Sequence, residues 1–228
     1  MKINCMEITE ISSVEKIAAT LRRAIFEGYF LPGEQLKGVA LSKSMGVSRG
    51  SVREALRILT TEGLVAHLPN KGASVRMLSL EEIDDIFLTR HILEIRAAQS
   101  IPTASDEFKQ ALVDSIKEYE AVAYVDDPVT IATAHINFHK AFVGLTGSLK
   151  LAELEESLMR DLQVIIACIE NDRDDLHNEI ANHKKLTEMV LNGDETAAVN
   201  WVDGYIPNGK EFVIEHILSL KNKPRLGR

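Results

Sequence analysis

The chain has 228 residues, of which 45% are hydrophobic and 26% charged, and its formal net charge is −8. This length suits one large or two small globular domains with a proper core. Its two cysteines, Cys5 and Cys168, are too few for a disulfide framework. No stretch has the pattern of a signal peptide or a membrane-spanning helix, so we expect a soluble, cytoplasmic protein with no membrane partner.

The charge is divided unevenly along the chain. Residues 1–78 contain 11 Lys and Arg against 7 Asp and Glu, a formal charge of +4. Residues 79–228 contain 15 Lys and Arg against 27 Asp and Glu, a formal charge of −12. A basic first part and an acidic second part indicate that only the first part meets phosphate groups. The sequence therefore predicts two domains that divide near residue 78.

The first part begins with residues 1–11, which lack periodicity and are predicted to be a loose tail. A first helix is predicted from Ser12 or Ser13 to Gly28, and a Pro-Gly turn leads into a second helix over residues 36–45. Gly46 has the position and residue type of a helix C-terminal cap.

Residues 46–57 are predicted to be a helix that enters DNA. Apolar residues recur on one side of it, namely Val52, Ala55, Leu56 and Leu59. Arg49, Arg53 and Arg57 recur at every fourth residue on another side. Ser48 stands where an N-cap belongs. The alternative is an ordinary amphipathic helix with a solvated basic face, and the neighbouring segments favour DNA binding.

The next segment, residues 64–76, is predicted to be a β-hairpin with a turn at Pro69-Asn70-Lys71-Gly72. Helices followed by a hairpin make a winged helix-turn-helix, with Lys71 at the tip of the wing. The segments FEGYFLPGEQL, MGVSRGSVREALRILTTEGLV and PNKGASV closely resemble the DNA-binding domain of GntR-family transcription regulators. The resemblance covers about residues 12–76.

This resemblance implies a set of DNA contacts on the helix and the wing. Arg49 and Arg53 are expected to reach base edges, where guanine O6 and N7 are the commonest target of arginine. Ser48, Arg57 and Lys71 are expected to contact phosphate or the minor groove and to set position rather than sequence. The predicted DNA-binding set also includes Ser51, Asn70 and Gly72.

Two departures from the family pattern lie in the same region. Gly38 and Val39 stand where GntR relatives commonly carry an acidic residue and an arginine, so one expected DNA contact is missing. Ser51 replaces a proline that is usual in the DNA-reading helix. The second departure is mild, because proline near a helix start only pre-organises the backbone.

The second part begins after a linker, where Ser79 and Glu82 form a capping box. Almost no strand signals follow. The predicted helices lie near residues 80–100, 106–124, 128–146, 149–170, 174–191 and 194–217. The fold class is therefore mainly α, with a winged helix-turn-helix over residues 1–78 and an all-α bundle of six or seven helices over residues 79–228. A basic, disordered tail is expected over residues 221–228.

The bundle resembles the FCD domain of the FadR subgroup of GntR regulators. The segments FLTRHILEIRAA, INFHKAFVGLTGS and NHKKLTEMVLNGDETAA carry this resemblance, which is looser than that of the first part. It implies a domain that dimerises and binds a small effector.

Four polar residues fall on buried stripes of the predicted helices: His135, His139, His183 and Tyr205. Three imidazoles and a phenol in a bundle core suit Zn²⁺ or another divalent transition metal. Many FCD domains hold a metal with an Asp-x-x-x-His pair and two further histidines. In that pattern His135 takes the place of the aspartate and Tyr205 that of the last histidine. The alternative is a metal-free pocket in which these groups bind one another, water or an organic ligand.

Arg90 also falls on a buried stripe, and a buried arginine needs a partner. Glu94, one turn later, is the simplest partner. Alternatively, Arg90 and Tyr205 bind an anionic effector such as an organic acid, since the planar guanidinium suits carboxylates.

The sequence as a whole indicates a ligand-responsive transcription regulator that binds a palindromic operator in double-stranded DNA as a homodimer. It is not expected to be an enzyme. A metal-dependent hydrolase that uses His135, His139 and His183 is the alternative, but no carboxylate is evident beside the cluster to act as its base. An architectural DNA-binding protein without an effector is a third possibility.

Overall fold

The computed structural model describes residues 13–68, 72–125, 127–170 and 173–222. The expectations for the tail over residues 1–11, for Asn70 and Lys71 at the tip of the wing, and for residues 223–228 lie outside this range. No helix among the described residues combines the length and the apolar character needed to cross a bilayer.

The described residues form nine α-helices and one two-stranded sheet. The N-terminal elements are α1 (Ser13–Phe26), α2 (Gly38–Met45), α3 (Arg49–Thr61), β1 (Val65–Leu68) and β2 (Gly72–Val75). The remaining elements are α4 (Leu80–Gln99), α5 (Asp106–Val122), α6 (Pro128–Gly144), α7 (Leu149–Glu170), α8 (Arg173–Leu191) and α9 (Glu195–Asn222). The predicted fold class is confirmed.

The turn between α2 and α3 follows from its residues. Gly46 adopts φ 65°, the left-handed conformation that favours glycine, and closes the C-terminus of α2. Ser48 then caps α3, because its Oγ accepts a hydrogen bond from the Ser51 N–H at 3.0 Å. β1 and β2 pair antiparallel with Val65 opposite Val75, which completes the wing.

The bundle begins at the predicted capping box, in which Ser79 and Glu82 cap α4 reciprocally. Its last helix is longer than predicted and ends at Asn222 rather than near residue 217. Val213 and Ile217, which lie within the predicted range, are buried against the bundle, and the helix continues beyond them. Pro207 lies inside α9 and removes one hydrogen bond of the helix.

The buried apolar residues form two clusters. The larger cluster fills the bundle, and the smaller one fills the winged helix-turn-helix. The smaller cluster also contains three residues of the bundle helices: Ala132 on α6, and Val164 and Ala167 on α7. The winged part is therefore packed on α6 and α7 rather than joined to the bundle by the linker alone.

Polar contacts join the same two parts. The Gln163 side-chain amide on α7 donates to the main-chain oxygen of Glu62 at 2.9 Å. Arg76, which follows the wing, forms an ion pair of 3.0 Å with Asp161 on α7. These contacts and the shared apolar cluster place α7 directly beneath the C-terminus of α3.

Candidate DNA interface and buried histidine site

The outer face of α3 carries three exposed arginines with different surroundings. Arg57 binds Glu54, with Nε and a terminal nitrogen 2.9 and 2.6 Å from Oε1. This hydrogen bond lowers the pKa of Glu54 and keeps the pair charged. Within the described part of the chain, Arg49 and Arg53 make no ion pair. The guanidinium groups of Arg49 and Arg53 are therefore more available to bind a partner outside the chain than the guanidinium group of Arg57, which is paired with Glu54.

The N-terminus of α3 lies beside these arginines. The Ser48 and Ser51 hydroxyls are 2.9 Å apart, and Ser48 is exposed. A helix N-terminus with exposed hydroxyls attracts phosphate, because its N–H groups and dipole favour negative charge. Ser48 and Ser51 are thus brought to the same surface as Arg49 and Arg53, as the sequence predicted.

A cleft of about 250 Å³ separates α3 from the wing. Arg53, Lys37, His67 and Gly72 are among the residues that line it. Lys37 is exposed and directly precedes α2, a position at which a cation can meet phosphate near a helix N-terminus. Sequence reasoning missed Lys37, although a basic residue just before a helix of the motif was a usable signal.

The three histidines of the predicted cluster meet in the core of the bundle. His135 and His139 lie one turn apart on α6, and His183 comes from α8. The Nε2 atom of His139 is 3.1 Å from the Nε2 atoms of both His135 and His183. All three rings are buried. The structure thus brings together the residues that the helical spacing selected.

The surroundings of His183 decide which of its ring nitrogens carries the proton. The main-chain oxygen of Glu179 only accepts, so Nδ1–H of His183 donates to it at 2.7 Å and Nε2 keeps its lone pair. Nδ1 of His139 lies 3.1 Å from a terminal nitrogen of Arg90, which only donates, and 3.1 Å from Oε1 of Glu94, which only accepts. His183 therefore directs an Nε2 lone pair into the cluster, and His139 does so in the tautomer whose Nδ1–H faces Glu94.

The charge state also suits metal binding, which requires neutral imidazole. Burial, followed by the charges of Arg90 and His135, holds the pKa of His139 well below its ordinary value. Burial and the two neighbouring histidines do the same for the pKa of His183. On a tetrahedral Zn²⁺ with Zn–N bonds of about 2.0–2.1 Å, ligand nitrogens stand roughly 3.4 Å apart. The observed 3.1 Å separations are close to that value, so the three rings could hold such an ion.

The expectation that no carboxylate accompanies the cluster is wrong. Besides Glu94, the carboxylate of Glu179 faces it, with Oε1 3.8 Å from Nε2 of His135. The Tyr205 hydroxyl donates to the same Oε1. The hydroxyl of Tyr205 therefore reaches the cluster through Glu179, and its ring lies edge-on to the ring of His183 with centroids 5.6 Å apart, although its place in the family pattern is that of a histidine ligand. The missed signal was the spacing of Glu179, one turn before His183 on α8.

Arg90 is buried beside the cluster with two carboxylates. Its terminal nitrogen binds Glu94 at 2.7 Å, the pairing expected from the sequence, and its Nε binds Glu155 at 2.8 Å. Burial raises the pKa of Glu155 to about 8 even though the charge of Arg90 opposes the shift. Glu94, His139 and Glu155 form a second group with the spacing of metal ligands, but the guanidinium already supplies a cation there.

Residues 13–75 match the family described as bacterial regulatory proteins, gntR family, and residues 85–206 match the FCD domain. The chain belongs to the GntR family of transcription regulators, in the group that carries an FCD domain.

Relatives of this GntR protein are named as regulators. The HTH-type transcriptional repressor GlaR of Escherichia coli K12 is 30% identical over 78% of this chain and 85% of its own. The uncharacterized HTH-type transcriptional regulator YdhC of Bacillus subtilis 168 is 29% identical over 87% of this chain and 89% of its own. The Nta operon transcriptional regulator of Aminobacter aminovorans is 26% identical over 83% of this chain and 89% of its own. These names give no support to the hydrolase alternative.

Solved structures share the fold. A GntR transcriptional regulator from Rhodococcus sp. RHA1 superposes with a TM-score of 0.68 at 24% identity, over 90% of this chain and 99% of that one. McbR/YncC of Escherichia coli superposes with a TM-score of 0.61 at 18% identity, over 90% of this chain and 99% of that one.

The FCD domain contains a cavity of about 450 Å³, the size of a small-molecule site. His135, His139, Arg90, Glu179 and Tyr205 line one end of it. The rest of the wall combines apolar side chains with three asparagine side chains: Asn178, Asn182 and Asn208. Two of the predicted metal ligands, His135 and His139, therefore line the same cavity as the predicted effector residues Arg90 and Tyr205, whereas His183 is not among its lining residues.

Proposed function

We propose that this GntR regulator binds a palindromic operator as a homodimer and that a small carboxylate, bound with Zn²⁺ in the FCD cavity, changes its DNA affinity. One observation carries the proposal. Helix α6 supplies His135 and His139 to the cavity and also packs Ala132 into the core of the winged part. A ligand that displaces α6 therefore acts on both regions. In this proposal residues 1–78 form the DNA-binding domain and residues 79–228 the effector and dimerisation domain.

On DNA, α3 enters the major groove, where Arg49 and Arg53 read base edges. Ser48, Ser51 and Arg57 contact phosphate and fix the position of the helix. The wing residues Asn70, Lys71 and Gly72 contact the adjacent backbone or minor groove, and Lys37 adds a phosphate contact. The exposed, unpaired state of Arg49 and Arg53 among the described residues supports this division of roles.

In the cavity, the local charges support a metal and a carboxylate as joint ligands. Arg90 is the cation of the cavity wall, and Glu94 and Glu155 already engage it. A carboxylate therefore needs a further positive centre, which a divalent ion on His135, His139 and His183 supplies when bound. The three asparagines can orient the remaining oxygens of the effector. Tyr205 and Arg90 line the cavity that the effector occupies. An architectural protein without an effector would have little use for such a cavity.

The homodimer follows from the DNA-reading unit. One helix-turn-helix covers a single half-site, and a two-fold pair of them explains recognition of a palindrome. Since its partner is operator DNA, we place the regulator in the cytoplasm.

Arg53→Ala tests the DNA interface, with Arg57→Ala as the matched control on the same helix. We expect Arg53→Ala to weaken operator binding by about 1–3 kcal/mol, the range for a bidentate base contact, and to leave non-specific binding nearly unchanged. Arg57→Ala should cost less, because Glu54 already binds that guanidinium. The measurement is a titration at fixed salt, with an operator selected from random duplexes. Equal affinity of Arg53→Ala and the unsubstituted protein for that operator would contradict the proposed docking.

A further inference from the structure

We infer that Glu179 is an oxygen ligand of the ion held by the three histidines, and that Tyr205 is the residue that positions this carboxylate. The inference deepens the proposed function and rests on it, because it concerns the same ion. It adds a fourth protein ligand, and it gives Tyr205 a role that differs from direct metal binding.

The position of Glu179 is the first observation. Its side chain extends from α8 one turn before His183, and Oε1 lies 3.8 Å from Nε2 of His135 and 3.7 Å from Nδ1 of His183. The side chain is about a quarter exposed and lines the cavity, and its distance from Nε2 of His135 is already close to the roughly 3.4 Å that separates two ligands of a tetrahedral Zn²⁺. Carboxylate oxygen is a common ligand of Zn²⁺ beside imidazole nitrogen.

Charge is the second observation. Imidazole binds a metal in its neutral form, and a buried divalent ion without an anion would be costly. Glu94 and Glu155 are buried carboxylates of this region, and both bind Arg90. Glu179 is the carboxylate that faces the cluster from the cavity side. It can therefore compensate part of the charge of the ion.

Tyr205 holds this carboxylate in place. Its hydroxyl donates to Oε1 of Glu179, and its ring stacks on Trp201 with centroids 4.1 Å apart and planes inclined by 18°. A hydroxyl fixed by a stacked ring restricts the rotation of the carboxylate. An outer partner of this kind orients the ligand without contacting the ion.

The test is binding of Zn²⁺ and Co²⁺ to the full chain, with Glu179→Gln, Tyr205→Phe and the control Glu188→Gln. Glu188 is exposed on the same helix, so its substitution makes the same change of charge away from the cluster. Zn²⁺ affinity is measured by competition with a chromogenic chelator, and the visible spectrum of bound Co²⁺ reports the ligand set. The thermal midpoint of each metal-free variant checks that the protein folds.

We expect Glu179→Gln to lower Zn²⁺ affinity by about 100-fold and Tyr205→Phe by about tenfold, within the range for groups that act on a metal site. Glu179→Gln should also change the Co²⁺ spectrum, and Glu188→Gln should change neither property. If the unsubstituted protein binds Zn²⁺ and Glu179→Gln matches it in affinity and spectrum, the role of Glu179 is wrong and the histidine site stands. If the unsubstituted protein binds neither ion, the proposed metal site fails as well. If Glu179→Gln does not fold, Tyr205→Phe decides, and an unchanged affinity there overturns the inference.

Discussion

Arg90, Glu94 and Glu155 form a buried group in which two carboxylates share one guanidinium. With its pKa raised to about 8, Glu155 is protonated at neutral pH and can still accept a hydrogen bond from Nε of Arg90. Glu94 is then the carboxylate that compensates the charge of Arg90, and it also faces Nδ1 of His139. One residue thus stabilises a buried cation and orients a histidine of the cluster.

The substitutions Glu155→Gln and Glu94→Gln separate these roles. Glutamine resembles protonated glutamate but does not have to take up a proton at pH 7, so Glu155→Gln should raise the free energy of unfolding at this pH rather than lower it. Glu94→Gln removes one carboxylate of the buried group and should cost up to about 3–5 kcal/mol, the usual loss when one partner of a buried ion pair is removed, less the part that Glu155 recovers by ionising beside Arg90. Chemical denaturation at pH 7 measures both. Equal losses for the two variants would show that the charge is not located on Glu94.

The same group predicts a pH dependence. The pKa of Glu155 rises from 4.5 to about 8 on folding, so the folded state holds a proton that the unfolded state has released. The resulting stabilisation is complete below pH 4.5 and is lost as the pH rises through 8. Between pH 6 and 9 this group should lower the free energy of unfolding by up to about 1.4 kcal/mol per pH unit. Denaturation across this range should show a shallower decline for Glu155→Gln, and identical slopes would contradict the assignment.

At the scale of elements, α6 connects the two apolar clusters. Ala132 near its N-terminus is buried in the smaller cluster, and His135 comes three residues later in the FCD cavity. Because these residues lie within one turn of a single helix, a small rotation or translation of α6 changes the packing at both places.

Most elements could be predicted because their signals are local. Ser48 and Ser79 are N-cap residues at the starts of α3 and α4, and Glu82 completes the capping box with Ser79. The periodicity of α6 placed His135 and His139 on its buried face. Glu155 was not predictable as a partner of Arg90, because 65 residues separate them and only the packing of α4 on α7 brings them together. Glu179 also has contacts from distant helices, α6 and α9, but its spacing from His183 on α8 was a local signal that could have identified it.

Ala132→Leu tests the connection, with Thr133→Leu as the control. Ala132 is 2% exposed, so a larger side chain must push the winged part away from α6, at a cost of about 1–3 kcal/mol. Thr133 is the next residue and is exposed, so the same substitution there should be tolerated. We expect Ala132→Leu to increase amide hydrogen exchange in α1, whose helix packs on α6 and α7. Unchanged exchange in α1 would show that the contact is not required to hold the winged part.

At the scale of the whole molecule, the regulator consists of a basic DNA-reading part and an acidic bundle that share an apolar boundary. The ion pair of Arg76 with Asp161 and the Gln163 hydrogen bond lie along this boundary. Because this boundary lies next to the C-terminus of α3, a shift of α7 would disturb the contacts that hold this helix. The charge difference along the sequence thus marks two functions, whereas the packing joins them into one responsive unit.

The shared cluster also sets a rule for building chimeras from this family. Joining the winged part of one regulator to the FCD domain of another at the linker would leave Ala132, Val164 and Ala167 facing a foreign surface. A graft that keeps its operator specificity and its response to effector must carry these three bundle positions with the transplanted DNA-binding part. The boundary between the two modules therefore includes residues of α6 and α7 as well as the residues between the wing and α4.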